Sequence, residues 1–204
     1  MTLPRTPRLV PEPEEAPSPS GRRLLYEQAL RASQLQQAPE GSVALVLLEV
    51  ALAAGSEHMS ERVLRPVTTK LGGVLNPRLR SVDLLVRTAE TELAVLLAQA
   101  HMGVAGAFSE RIRQPIEQIL RGMGLASDIV VCMGLAASPY TGRWHPDELI
   151  ELADFRMRTV KQRATRSLAR EWALAVDGEA VPHTWADSGT WPATSQITSD
   201  STIF

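Results

Sequence analysis

The chain has 204 residues, a formal net charge of −2, 44% hydrophobic residues and 4% aromatics. That size supports one globular domain with chain to spare, and the balance of 21 basic against 23 acidic residues gives no basic field of the kind that holds nucleic acid through its phosphates. One cysteine, Cys132, excludes an internal disulfide framework and a Cys-rich zinc site, which fits a reducing, cytoplasmic setting. The longest apolar run, residues 43–54, is too short to span a bilayer and carries Glu49, and the N-terminus lacks the apolar stretch of a leader, so neither membrane nor export is expected.

Residues 1–20 hold six prolines among Arg, Glu and Ser and read as a disordered, extended arm. Residues 21–176 read as the folded domain. Residues 22–37 are good helix formers with Leu24, Leu25, Ala29 and Leu30 on three-and-four spacing, and Pro39 and Gly41 stop them. Residues 42–50 form a short, nearly unbroken apolar run, the pattern of a strand buried on both faces. A helix is expected over 60–71, with Pro66 in its first turn. Two short apolar runs at 82–86 and 93–97 suit a hairpin across residues 87–92.

Residues 101–121 give a long helix with Val104, Phe108, Ile112, Ile116, Ile119 and Leu120 as its apolar stripe, stopped by Gly122 and Gly124. Residues 128–136 read as another buried strand. Pro146, Asp147 and Glu148 open a final helix running toward Trp172, since an early proline and first-turn acids suit a helix N-terminus. Residues 177–204 carry four acids and no Lys or Arg and read as a disordered tail, in which Trp185 and Trp191 suggest a short docking segment. Alternating helices and strands of this kind predict an α/β fold with a mixed sheet between helices.

Four stretches in this order resemble the GGDEF domain, the family whose active members join two GTP molecules into cyclic di-GMP. They are the run from Asp83 to Leu97, the helix segment Ser109-Glu-Arg-Ile-Arg113, the glycine-bearing strand from Val130 to Ala136, and the segment from Asp147 to Asp154 followed by Val160-Lys161. The resemblance covers residues 22–166 and implies a central mixed five-stranded sheet flanked by helices, the nucleotide-cyclase-like fold. It also exposes a degenerate signature. Where the family writes Gly-Gly-Asp/Glu-Glu-Phe, this chain has Ala89, Glu90, Thr91, Glu92 and Leu93. Both glycines that let the turn approach a nucleotide carry side chains, and Thr91 cannot bring a full negative charge to Mg²⁺. On the first strand the family's metal-binding Asp is matched by Glu49 and its second Asp by Ala51, and the guanine-binding loop is reduced to residues 53–60 without an Asn. Lys161 keeps a phosphate-binding position, but Ala164-Thr165-Arg166 replaces the Gly-Arg-Asn that comes after it in the family. The expectation is no diguanylate cyclase activity, no metal and no resident cofactor.

What the resemblance leaves is an RxxD inhibitory site. Arg80 and Asp83 stand at the family's spacing before the signature turn, and Arg111 on the next helix is the second arginine of such sites. Arginine can fork onto guanine O6 and N7 or onto phosphate oxygens and stack by its flat face, while an ionised Asp matches the donors on guanine's Watson–Crick edge. With 19 arginines in the chain a lone RxxD arises readily by chance, so its weight comes from its position. The reading is a catalytically inactive cyclic di-GMP receptor that signals to a protein partner through its arms or through a ligand-bridged dimer. A nucleotide-independent interaction scaffold is the alternative. His58, His101, His145 and His183 fall on separate elements without ligand spacing, and Cys132 in an apolar strand is a small hydrophobe.

Overall fold

The computed structural model describes residues 19–34, 42–139, 144–164, 172–176 and 179–183. Most of the arm over 1–20 and of the tail over 177–204, including Trp185 and Trp191, lies outside the described residues, as do Thr165 and Arg166. The chain runs α1 (Pro19–Gln34), β1 (Val43–Leu52), a 3-10 turn (Glu61–Val63) leading into α2 (Leu64–Leu75), a second 3-10 turn (Asn76–Arg78), β2 (Leu84–Ala89), β3 (Glu92–Ala98), α3 (Met102–Gly122), β4 (Ile129–Ala137), α4 (Pro146–Ala164), β5 (Trp172–Val176) and β6 (Glu179–His183). The sheet order is β2-β3-β1-β4-β5-β6.

β1 is central, antiparallel to β3 on one side and to β4 on the other, which is why its sequence is apolar without alternation. Ala44, Val46, Leu48 and Val50 point to one face, where they join Val67, Leu71 and Leu75 of α2 and Phe108, Ile112 and Ile116 of α3. Val43, Leu45 and Leu47 point to the other, against Leu25 and Ala29 of α1 and Leu149, Ala153, Met157 and Val160 of α4. Each fully buried Leu or Ile contributes about 1.5–3 kcal/mol by leaving water, so a sheet covered on both faces is the stable solution for these strands. Among the described residues no helix is long and apolar enough to cross a membrane.

The α/β class and the helix-flanked sheet agree with the sequence reading. The strand count does not. Four antiparallel strands, β2-β3-β1-β4, form the body of the sheet, and β5 and β6 extend it, so the sheet is not five-stranded. β5 pairs in parallel with β4 through Met133↔Leu174 and Gly134↔Ala175, and supplies the mixed character. The final helix stops at Ala164 and Trp172 opens β5 instead of closing the helix; no Gly or Pro between 147 and 171 signals that stop. β6 lies inside the stretch read as a tail, and as an edge strand it tolerates Pro182, whose missing N–H would break an interior ladder.

Candidate functional site

Arg80, Asp83 and Arg111 come together on the surface where the chain turns from the 3-10 segment after α2 into β2. The Asp83 N–H donates to the Arg80 carbonyl at 3.1 Å and closes the turn. The Asp83 carboxylate is 3% exposed and accepts from Arg80 N (2.9 Å), Arg80 Nε (3.2 Å), Arg80 Nη2 (3.1 Å) and Ala98 N at the end of β3 (3.2 Å). Arg80 Nη2 donates also to the Ala98 carbonyl at 2.7 Å, and the side chain remains 52% exposed. From α3, Arg111 lies over the Phe108 ring, 5.4 Å from its centroid, and its Nη2 donates to the Arg78 carbonyl at 3.2 Å. Two guanidinium groups therefore border one short loop. The post of Asp83 differs from the one expected: its oxygens face inward and brace Arg80, since four donors and burial leave it no free edge to offer a base.

β2 carries its other end to the signature positions. Ala89 closes β2, Glu92 and Leu93 open β3, and Glu90-Thr91 form a two-residue turn, tighter than the six-residue loop the polar side chains suggest. Thr88 Oγ1 donates to Glu92 Oε1, and a register shift between Arg87 and Ala89 absorbs the turn. Neither Glu90 nor Thr91 has a positive φ, so this turn does not require the glycines the family places there. The Val50 N–H donates to the Thr91 carbonyl at 2.9 Å. Arg87 holds the turn from beneath. Its Nε donates to the Ala89 carbonyl (3.2 Å), its Nη1 to Thr69 Oγ1 of α2 (3.3 Å), and its Nη2 to the carbonyls of Arg65 and Glu90. Burial, with the neighbouring Arg65, pulls this guanidinium below its ordinary range. Nothing in the sequence singles Arg87 out beyond its place two residues before Ala89.

On the face toward α4, Glu49 stands opposite Glu92 in the β1–β3 register and opposite Cys132 in the β1–β4 register. Lys161 Nζ donates to Glu49 Oε1 at 2.6 Å, so the lysine and the carboxylate that the resemblance assigns to phosphate and metal are paired with each other. Burial, reinforced by the Glu49 charge, pushes the Cys132 thiol up to about 12, and it has no nucleophilic character at neutral pH. The loop at 53–60 is pinned to Asp128: Ala53 N donates to its carbonyl (2.8 Å), Ser56 Oγ to its Oδ1 (3.2 Å), and His58 Nε2 lies 3.9 Å from Oδ1. His101 caps α3 by accepting from Gly103 N at 3.1 Å, and His145 lies beside Asp147 at the start of α4. Among the described residues no cluster of three His, Cys, Asp or Glu side chains could hold a metal ion.

The fold agrees with comparisons to known proteins. The family model for the diguanylate cyclase GGDEF domain matches residues 54–167. The GGDEF domain of FimX from Pseudomonas aeruginosa is similar at 13% identity and a TM-score of 0.54, over 74% of this chain and 94% of that one. The active GGEEF domain of a diguanylate cyclase from Vibrio cholerae is similar at 15% identity and 0.53, over 72% and 91%. The GGDEF domain of DgcB from Caulobacter crescentus, solved in complex with c-di-GMP, is similar at 14% identity and 0.50, over 69% and 82%. No curated protein matches the sequence. At these identities the solved structures speak for the fold alone, but the family model spans more than half of the chain and takes in the turn, the arginine-bearing helix and Lys161, so this protein belongs to the GGDEF-domain family.

Proposed function

We propose that this protein is a catalytically inactive GGDEF domain that binds cyclic di-GMP with Arg80 and Arg111 and passes the signal to a protein partner. The inactive half is supported by Glu90 and Thr91 in the signature turn and by the Lys161–Glu49 ion pair, which engages the carboxylate that the resemblance matches to a metal-binding Asp. The receptor half rests on one observation, the approach of Arg111 from α3 to the same loop that presents Arg80. Two cationic forks at one exposed loop, Arg80 on it and Arg111 reaching it from α3, suit a ligand with two phosphates and two guanines, through charge-assisted and bidentate bonds. Asp83 contributes by fixing the direction of the Arg80 fork, which lowers the ordering cost of binding.

The nucleotide-independent scaffold has an observation of its own, since Arg80 already gives its Nε and Nη2 to Asp83 and Ala98. Calorimetric titration of the purified chain with cyclic di-GMP separates the two readings. Saturable heat is expected for a receptor, and its absence leaves the scaffold. Incubation with GTP and Mg²⁺ in parallel is expected to yield no cyclic dinucleotide.

A further inference from the structure

α2 and α4 cover opposite faces of the sheet, and their outer sides carry opposite charge. Residues 62–70 hold Arg62, Arg65 and Lys70 and no acid, whereas residues 147–154 hold Asp147, Glu148, Glu151 and Asp154 and no Lys or Arg. Arg62, Arg65 and Lys70 are exposed, and among the described residues their side chains have no ion-pair or hydrogen-bond partner. Glu61 beside Arg62 offsets one of these charges, and Arg87 next to Arg65 adds one back. On α4, His145 lies against Asp147 and Arg158 pairs with Asp154, while Arg156 turns inward to the Leu135 carbonyl. Glu148 accepts the His145 N–H at 3.4 Å, and with Glu151 it is exposed.

Shape matches charge. Phe155, 65% exposed, lies one turn after Glu151, and Leu152, 40% exposed, one turn after Glu148. On α2, Pro66, Thr69 and Gly73 follow one another at i, i+3 and i+7 on the outer side, with Arg65 and Lys70 flanking them. A Cβ at Gly73 would meet nothing within 4 Å. Glycine inside a helix lowers stability relative to alanine, and here no described neighbour requires it. The strip lets a large side chain from outside come close to the helix backbone.

We propose that the outer side of α4 of one molecule docks on the outer side of α2 of a second copy, with Phe155 in the strip at Gly73 and with Glu148 and Glu151 facing Arg65 and Lys70. Both halves of the match belong to one chain, which assigns the patch to another copy of this protein. They lie on opposite faces of the sheet, so no molecule makes the contact with itself. A head-to-tail contact of this kind repeats from copy to copy unless it closes into a ring. The rim charges orient the approach and oppose α4 against α4 or α2 against α2, where like charges would meet. No nucleotide takes part, so the contact is independent of what Arg80 and Arg111 bind.

The test is sedimentation velocity of the full chain without nucleotide, over about 10 to 500 µM protein. The mean sedimentation coefficient is expected to rise with concentration and to fall when salt goes from about 0.05 to 0.5 M, which screens the rim charges. Glu148→Arg with Glu151→Arg, and separately Arg65→Glu with Lys70→Glu, should each weaken association about tenfold or more. An equimolar mixture of the two double variants should restore it, because the reversed α4 then meets the reversed α2; restoration also shows that both variants fold. Gly73→Gln fills the strip without a change of charge and should weaken association while raising the melting temperature. A wild type that stays monomeric throughout, association retained by either double variant or by Gly73→Gln, or a mixture no more associated than its components overturns the proposal.

Discussion

Asp83 shows how one carboxylate can matter to a site it does not face. Its oxygens are taken by the backbone and guanidinium of Arg80 and by the end of β3, so the residue joins a loop, a side chain and a strand. Asp83→Ala removes the acceptor of four hydrogen bonds, three of them from Arg80, and a hydrogen bond to a charged group contributes about 1.5–3 kcal/mol net. The expected result is a loss of that order in unfolding free energy, read from the midpoint of a urea transition at unchanged slope. Sequence alone points to Asp83 through its spacing from Arg80 but not to its inward orientation, because Ala98, its second partner, is fifteen residues away.

Cys132 is the other residue whose surroundings set a measurable property. Its thiol rises from an ordinary value near 9 to about 12, chiefly by burial. A raised folded-state value means that the unfolded chain loses its proton first. The contribution to stability is whole below pH 9 and declines between pH 9 and pH 12, at up to about 1.4 kcal/mol per pH unit. Cys132→Ala removes this slope, so the difference in unfolding free energy between wild type and variant should shrink over that range in denaturation series at about pH 8, 9 and 10. A constant difference would contradict the assignment.

At the scale of elements, the contact of α4 with β4 turns on one glycine. A Cβ at Gly134 would lie 2.0 Å from the Ala153 carbonyl oxygen and 2.5 Å from the Met157 backbone N, so the helix sits directly on the strand. Gly134→Ala must push α4 outward and disturb Met157 and Val160 beneath it. Overpacking of this kind costs about 1–3 kcal/mol or more, which should show as a melting temperature lower by several degrees in a thermal scan. Elements with a clean period are legible in the sequence. The continuous apolar run of β1 and the stripe of α3 lie where the pattern puts them, and Pro66 stands in the first turn of α2. The hairpin loop reads as longer than it is because Arg87, Thr88 and Glu92 are polar yet pair with a neighbour or with each other. β5 and β6 are hidden by the missing stop after α4 and by Pro182, and recognising them requires knowing that an edge beside β4 is open.

For the whole molecule, β2 is the link between the two regions of interest. Asp83 precedes its first residue and the signature turn comes after its last, so the arginine loop and the turn lie at opposite ends of a six-residue strand, about 20 Å apart. A ligand held by Arg80 and Arg111 would therefore sit away from Glu49, Lys161 and the altered turn, and loss of the second region leaves the first intact. The direct measurement is calorimetry of cyclic di-GMP binding to the wild type, Arg80→Ala and Arg111→Ala. Loss of a charge-assisted hydrogen bond costs about 1.5–3 kcal/mol, or roughly a 10- to 100-fold weakening. Saturable binding by the wild type and a loss of about tenfold or more in each variant are predicted. No binding by the wild type, or equal binding by all three proteins, would contradict the receptor.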